Sequence, residues 1–301
     1  MRKSNHKANL ALLILCTVWG ATWVVSKHAI VVAHIAPLQL SGMRYLLAST
    51  LLVSYFLYKG FGFPNKKNWG NIILLSFLMF VCSNGFSTYA VATVGSGLGA
   101  VIGALSALWM AIFSYLILQQ QLTYKTVIGL LVGFAGVVVI FYDKLHFLRE
   151  AKFVWGIILS IVATITWALG TIYTIKTTST GNALYNSSWQ MLVSGIVLTA
   201  ISYTQPRIAT TDISLQGWVD VGILVTAGSL LTLACLMYVL QKLPASKVSI
   251  YVYINPIIAV LLGHVVFDEA LTPLLAVGVI VILLGVYLVN NSLKIVKPKL
   301  T

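Results

Sequence analysis

The chain has 301 residues, of which 59% are hydrophobic and only 8% charged, where a soluble domain runs at about 45–50% and about 25%. So few charges cannot cover a water-facing surface, which excludes a soluble enzyme or a secreted binding module and leaves the bilayer as the fitting solvent. The net charge of +13 comes from 19 Lys and Arg against 6 Asp and Glu, but the cations form no stripe, so nucleic acid is not an expected partner.

Taken in chain order, apolar runs long enough to cross a hydrocarbon core of about 30 Å fall at 10–33, 37–58, 71–93, 95–118, 124–142, 153–176, 183–204, 217–240, 245–267 and 271–291. Arg2, Lys3 and Lys7 precede the first run. That run exceeds a signal-peptide core and lacks a small-x-small cleavage site, so it is expected to be a retained helix. None of the runs alternates in polarity as a barrel strand would. All are therefore expected as helices, which satisfy their own backbone groups in lipid. Cys16, Cys82 and Cys235 all lie inside apolar runs, which suggests no disulfide framework.

Charge then predicts the orientation. With the amino terminus inside, the inner segments hold Arg2, Lys3, Lys7, Lys59, Lys66, Lys67, Lys125, Lys176, Lys242, Lys247, Lys294, Lys297 and Lys299. The outer segments hold only Lys144, Arg149, Lys152 and Arg207, and all six acids, Asp143, Glu150, Asp212, Asp220, Asp268 and Glu269, fall outside or at the outer border. This segregation predicts a multi-pass protein of the cell's inner (plasma) membrane with both termini cytoplasmic.

The two halves are related. Leu122-Thr123 recurs as Leu271-Thr272, and the same shift of 149 residues (from 123 to 272) pairs Lys27 with Lys176, Tyr89 with Tyr238, Gly129 with Gly278 and Gly136 with Gly285. Five spans per half put the second half in the membrane upside down. The expected architecture is thus an all-α membrane protein of ten transmembrane helices. Residues 1–145 and 146–301 would form two inverted five-helix repeats around a central cavity, as in many secondary transporters.

Several motifs resemble a known family. Trp19-Gly20 with Lys27, Pro37 followed by Arg44, and the run from Pro256 through Asp268-Glu269-Ala270-Leu271-Thr272 to Gly278 and Gly285 are together similar to EamA-type members of the drug/metabolite transporter superfamily. The resemblance covers nearly the whole chain. It implies a ten-helix inner-membrane transporter, commonly an exporter of amino acids or other small metabolites. The first half departs from the pattern: Ala107 stands where Pro256 does, and Gln120 where Glu269 does.

Lys27 and Arg44 are the cations inside spans. Each either snorkels to the interface or faces a cavity and marks a pathway. With no acid in a span interior, the expected partner is a visiting anion, so both are candidates to hold a substrate carboxylate. Trp23, Trp109, Trp167 and Trp189 lie away from the interface belt and serve as packing or as apolar pocket walls. Asn84 and Asn255 could add amide contacts or bridge helices. Gln190 is a similar case. Pro256 is expected to kink its helix and expose carbonyls near Val252 and Tyr253, with a gating role.

Glu269 is expected to favour the start of the following helix at Leu271-Thr272-Pro273. His28, His264, Asp268 and Glu269 are the candidates for proton coupling, unless the substrate gradient alone drives transport. Gly95, Gly99, Gly103, Ala107 and Ala111 form a small-residue stripe for packing, either within the bundle or at a homodimer contact. Gly129 and Gly133 read the same way. No metal or cofactor is expected. A small-molecule carrier in the lipid bilayer leads. The alternatives are a membrane-embedded enzyme acting on lipid or isoprenoid, and a passive pore or sensor.

Overall fold

The computed structural model describes residues 6–119, 123–143, 149–177, 182–243 and 251–292. These fall into helical rods with no strand among the described residues. In chain order they are α1 (His6–Val31), α2 (Pro37–Tyr58), α3 (Lys66–Val94), α4 (Ser96–Leu118) and α5 (Tyr124–Asp143). There follow α6 (Ala151–Lys176), α7 (Ala183–Ser202), α8 (215–242), α9 (Tyr251–Phe267) and α10 (Pro273–Ser292). The rods coincide with the apolar runs to within a few residues, except that 245–250 of the ninth run lie outside the described residues. Among them α1, α2, α3, α4, α6 and α8 are long and apolar enough to cross a membrane, and α5, α9 and α10 contribute shorter apolar stretches.

Local chemistry sets the rod ends. Asn65 accepts from the Lys67 N–H, Asn182 from Leu184 and Tyr185, and Ser214 from Gly217, each satisfying orphan donors at a helix start. Pro37 opens α2, where its missing N–H costs nothing. A single residue, Gly95 at φ +88°, separates α3 from α4. That backbone conformation suits glycine and is strained for other residues.

Two rods change pitch midway. α3 runs through a π-helical stretch at Ser76–Gly85, and α8 through another at Thr226–Leu231. Such stretches leave carbonyls free for other partners. α4 is interrupted by a tighter turn at Ala104–Leu105, where the Ala107 and Leu108 N–H groups bond three residues back. The first half therefore breaks its helix near Ala107 without a proline. In the second half Pro256 is buried within α9.

Glycine sets the closest approach between rods. A Cβ on Gly129 would lie 2.8 Å from the Gly285 carbonyl oxygen, and one on Gly136 would lie 2.9 Å from that of Gly278. Side chains there would force α5 and α10 apart. α2 and α7 meet similarly, Gly42 against Thr199 and Gly195 against Leu46.

The core does not divide at residue 145. One buried cluster joins Leu105 and Leu108 of α4 to Ile157 of α6 and Ile282 and Val286 of α10. Another joins Ile35 and Leu40 to Met191 and Leu198 of α7 and Leu224 of α8. The outer face of the bundle is apolar instead: Leu51, Leu131, Ile196, Leu261 and Leu284 are all exposed, the arrangement suited to lipid rather than water.

Candidate functional site

The Glu269 carboxylate accepts four hydrogen bonds from described residues. α9 stops at Phe267, and Asp268 adopts φ +51°. Bonds from the Asp268 N–H to His264 O (2.9 Å) and from the Glu269 N–H to Gly263 O (3.3 Å) close the turn. The chain thereby folds Glu269 back onto the start of α4 rather than forward onto α10. Its Oε1 accepts from Ser96 N (2.7 Å), Ser96 Oγ (2.7 Å) and Lys27 Nζ (2.8 Å), and its Oε2 accepts from Gly97 N (2.9 Å). The helix dipole adds positive potential at the same place.

The slot exists because its walls lack side chains. A Cβ on Gly263 would come within 2.7 Å of both Glu269 Oε2 and Ser96 Oγ, and one on Gly97 within 3.0 Å of Oε2. Burial alone pushes the Glu269 carboxyl up. The hydrogen bonds from Lys27, Gly97 and Ser96 outweigh that and hold it below the usual carboxylate value, so it is ionised at neutral pH. The Lys27 ammonium also lies 4.4 Å from the centre of the Phe267 ring. One residue on, His28 Nδ1 meets Asp220 Oδ2 at 2.7 Å and its Nε2 lies 3.3 Å from Gln216 Nε2. Two adjacent residues near the end of α1 are therefore tied to α4, to the α9–α10 turn and to α8.

This geometry corrects two expectations. Lys27 is not waiting for a visiting anion, because the chain supplies its own carboxylate from 242 positions away. Glu269 does not favour the start of α10, because the turn at Asp268 aims it at α4. At α10 the Thr272 hydroxyl accepts from the Leu275 N–H (3.0 Å) instead.

Arg44 behaves differently. Its Nε donates to Ser229 Oγ (2.8 Å) and its Nη2 to the Gly228 carbonyl (2.8 Å), both in the π stretch of α8. Thr22 of α1 packs against Gly228 beside it, and the Tyr45 ring lies 5.4 Å away. These partners are neutral, so the guanidinium keeps its charge available for a further acceptor.

The remaining candidates are scattered. Trp23 lies flat on Gly99 and Gly103, within 3.0–3.3 Å of where their Cβ atoms would be, so the small-residue stripe packs inside the bundle against this indole. Trp109 packs on Phe113 and Phe134. Trp189 is buried at the opposite end of the bundle from Glu269, among Phe63, Trp69 and Tyr185. Trp167 is half-buried on α6. Asn84 donates to Met79 O (2.6 Å) within the π stretch of α3. Asn255, with its amide nitrogen turned inward, donates to Tyr251 O and to Cys16 O (2.8 Å), bridging α9 and α1. Gln190 is buried on α7.

Two clefts open at the ends of the bundle. One, of about 270 Å³, is lined by Val24, Val25, His28, Gln216, Asp220 and Val266. The other, of about 380 Å³ at the opposite end, is lined by Leu78, Ile117, Leu169, Tyr173, Lys176 and Thr177. Neither is walled by the expected tryptophans. The sequence reading missed Ser96, Gly97 and Asp220 as partners. Glycines at 95, 97 and 263 around a serine were the signal that a buried group had to fit there.

An all-helical bundle with an apolar exterior and buried ionic ties at one end has the build of a membrane transporter. The chain belongs to the EamA-like transporter family, whose sequence model matches residues 6–142 and again 154–291. It is 32% identical over 288 residues to a protein of Escherichia coli K12 named the uncharacterized inner membrane transporter YedA, covering 92% of this chain and 91% of that one. It is 28% identical to the uncharacterized transporter YvbV of Bacillus subtilis, covering 97% and 95%. A solved crystal structure shares the fold, with a TM-score of 0.65 over 95% of this chain and 98% of that one at 16% identity.

Proposed function

We propose that this transporter is a secondary carrier that exports amino acids or related small organic metabolites across the inner membrane by alternating access. All ten rods cross the membrane as two inverted repeats, 1–145 and 146–301, with both termini cytoplasmic. Several features support the inversion. The family model matches twice, once in each half. Under the 149-residue shift, Gly129 corresponds to Gly278 and Gly136 to Gly285. The contact of Gly129 with Gly285 then maps onto that of Gly278 with Gly136, as a two-fold axis between antiparallel rods requires. The π stretches at Ser76–Gly85 and Thr226–Leu231 overlap under the same shift.

The observation that carries the reading is the tie of Lys27 to Glu269 and of Glu269 to the start of α4. On this topology it ties the outer end together, where only the smaller cleft beside His28 remains, while the larger cleft beside Lys176 faces the cytoplasm. The molecule is then in its inward-open state. Moving to the outward-open state requires the Glu269 tie to break, and a substrate drives that step only by binding the two states unequally. Arg44 is the interior cation proposed to hold the substrate carboxylate during passage, with Trp23, Trp109, Trp167, Trp189, Asn84 and Asn255 shaping the route and Pro256 the gate. Export rather than import follows the family resemblance.

Counterflow tests the carrier: proteoliposomes preloaded with a mixture of the twenty amino acids should take up the labelled mixture faster than empty ones. Equal uptake would reject the reading. Arg44→Ala should lower that exchange about tenfold or more, the effect of losing a charge-assisted hydrogen bond of about 1.5–3 kcal/mol. Exchange at the unaltered rate would remove Arg44 from the pathway.

A further inference from the structure

We propose that the cleft beside Lys176 binds the carboxylate of a small, otherwise apolar metabolite, with the Lys176 ammonium as its counter-charge. The proposal deepens the carrier reading and rests on it for its place in transport.

Lys27 and Lys176 correspond under the 149-residue shift. At Lys27 the chain supplies a carboxylate, and the structure shows how that group is held: an ammonium at 2.8 Å and the open start of a helix. At the corresponding positions of the sequence the chain has no acid. Gln120, which lies outside the described residues, stands where Glu269 does, Asn71 where Asp220 does, and Thr177 where His28 does. The two acids are replaced in the sequence by their own amides, which carry no charge. Moreover, no Asp or Glu occurs anywhere in 1–142, 151–211 or 221–267 of the sequence. Lys176 therefore has no side-chain carboxylate within reach at its end of the bundle.

The cleft has the dimensions and lining for a ligand that would complete the pair. Its volume of about 380 Å³ is within the range of small-molecule sites, about 300–1,000 Å³. Leu78, Ile117 and Leu169 give an apolar wall, and Tyr173, Thr177 and Lys176 a polar edge. Two of those three polar groups have already committed their protons. Tyr173 Oη donates to Asn71 Oδ1 at 2.8 Å, and Thr177 Oγ1 to Tyr173 O at 2.9 Å. The exposed Lys176 ammonium remains as the charged donor. An apolar body with one carboxylate fits this lining. A cation does not, because Lys176 repels it.

Lysine acylation tests the binding without requiring transport. The full-length protein in phosphatidylcholine nanodiscs is pulsed with a short N-hydroxysuccinimide ester, and labelling at each lysine is read by mass spectrometry. The expected result is that 3-phenylpropionate removes most labelling at Lys176 and leaves that of the exposed Lys59 unchanged, whereas 3-phenylpropanol protects neither. Three results would overturn the proposal: no protection by the carboxylate, equal protection by the alcohol, or protection seen only when phosphatidylglycerol supplies a lipid phosphate.

A transport arm separates this site from the carrier reading. Lys176→Gln should raise the cytoplasmic-side KM about tenfold, and Lys176→Arg should restore it. Exchange with KM unchanged in Lys176→Gln rejects the site and keeps the carrier. Carboxylate protection of Lys176 without any counterflow keeps the site and rejects the carrier.

Discussion

At one end of the bundle Lys27 meets Glu269 at 2.8 Å and His28 meets Asp220 at 2.7 Å. At the other end the corresponding Lys176 lines an open cleft, and Asn71, in the place of Asp220, makes a neutral bond to Tyr173. The positions correspond in the sequence and the charge does not. Neutral hydrogen bonds contribute about 0.5–1.5 kcal/mol and bonds to charged groups about 1.5–3 kcal/mol, so the Glu269 end has the stronger ties. On the proposed inverted topology, the exchange of acids for amides in the sequence makes the two ends unequal in charge. That inequality is the proposed source of a resting state closed at Glu269 and of a need for an outside anion at the other end.

Making the two ends alike should have the largest effect. Glu269→Gln removes the carboxylate and strands the Lys27 charge in a partly buried site, a loss of about 3 kcal/mol from the closed state. In a background without the natural cysteines, a Val260→Cys reporter beside Gly97 should then react with a membrane-impermeant maleimide at least about tenfold faster from the Glu269 side. No change in that rate would mean the ion pair does not hold the end shut.

A change that affects both ends equally comes next. Gly285→Ala places a methyl group against Gly133 and the Gly129 carbonyl. Overpacking of this kind costs about 1–3 kcal/mol. The melting temperature in detergent should fall, while the ratio of maleimide labelling between the two ends stays as it was. A shift in that ratio would show that α5 and α10 take part in gating rather than only in packing.

The smallest effect is in pH. Because the Glu269 carboxyl is held below its ordinary value, its contribution to closure is fully present above the ordinary carboxylate pKa of about 4.3. That contribution is lost only as pH falls through the lowered value. Val260→Cys labelling, taken relative to a fully exposed cysteine at the same pH to cancel the thiolate dependence of the reagent, should therefore stay flat from pH 7 to about 5 and rise only under stronger acid, and Glu269→Gln should abolish the rise. A rise already complete at about pH 6 would place the controlling group elsewhere.

Much of the architecture was legible in the sequence. The apolar runs foretold the rods, and the recurrence of Lys27 at Lys176 and of Gly129 at Gly278 pointed to paired halves. Lys27 and Arg44 stood out because a charge in lipid needs a reason. The identity of their partners was hidden. Glu269 reaches Lys27 through a left-handed turn at Asp268, a backbone choice that hydropathy does not report. Ser229 and Gly228 meet Arg44 through a π stretch, which shifts a helix face without changing its composition. Trp189 was read as an interior residue, yet it lies less than two turns from the start of α7 and belongs to an aromatic cluster at that end. Counting from Asn182, which caps the helix, would have placed it there.

The most direct test of the account is the sidedness of the closed end. Val260→Cys and Leu169→Cys reporters, each in a protein otherwise lacking cysteine, are exposed to an impermeant maleimide in right-side-out and inside-out vesicles. The account predicts that Leu169→Cys reacts from the cytoplasmic face alone, and that Val260→Cys is protected from the external face until Glu269 is replaced by Gln. Ready reaction of Val260→Cys from outside in the unaltered gate, or of Leu169→Cys from the external face, would contradict it.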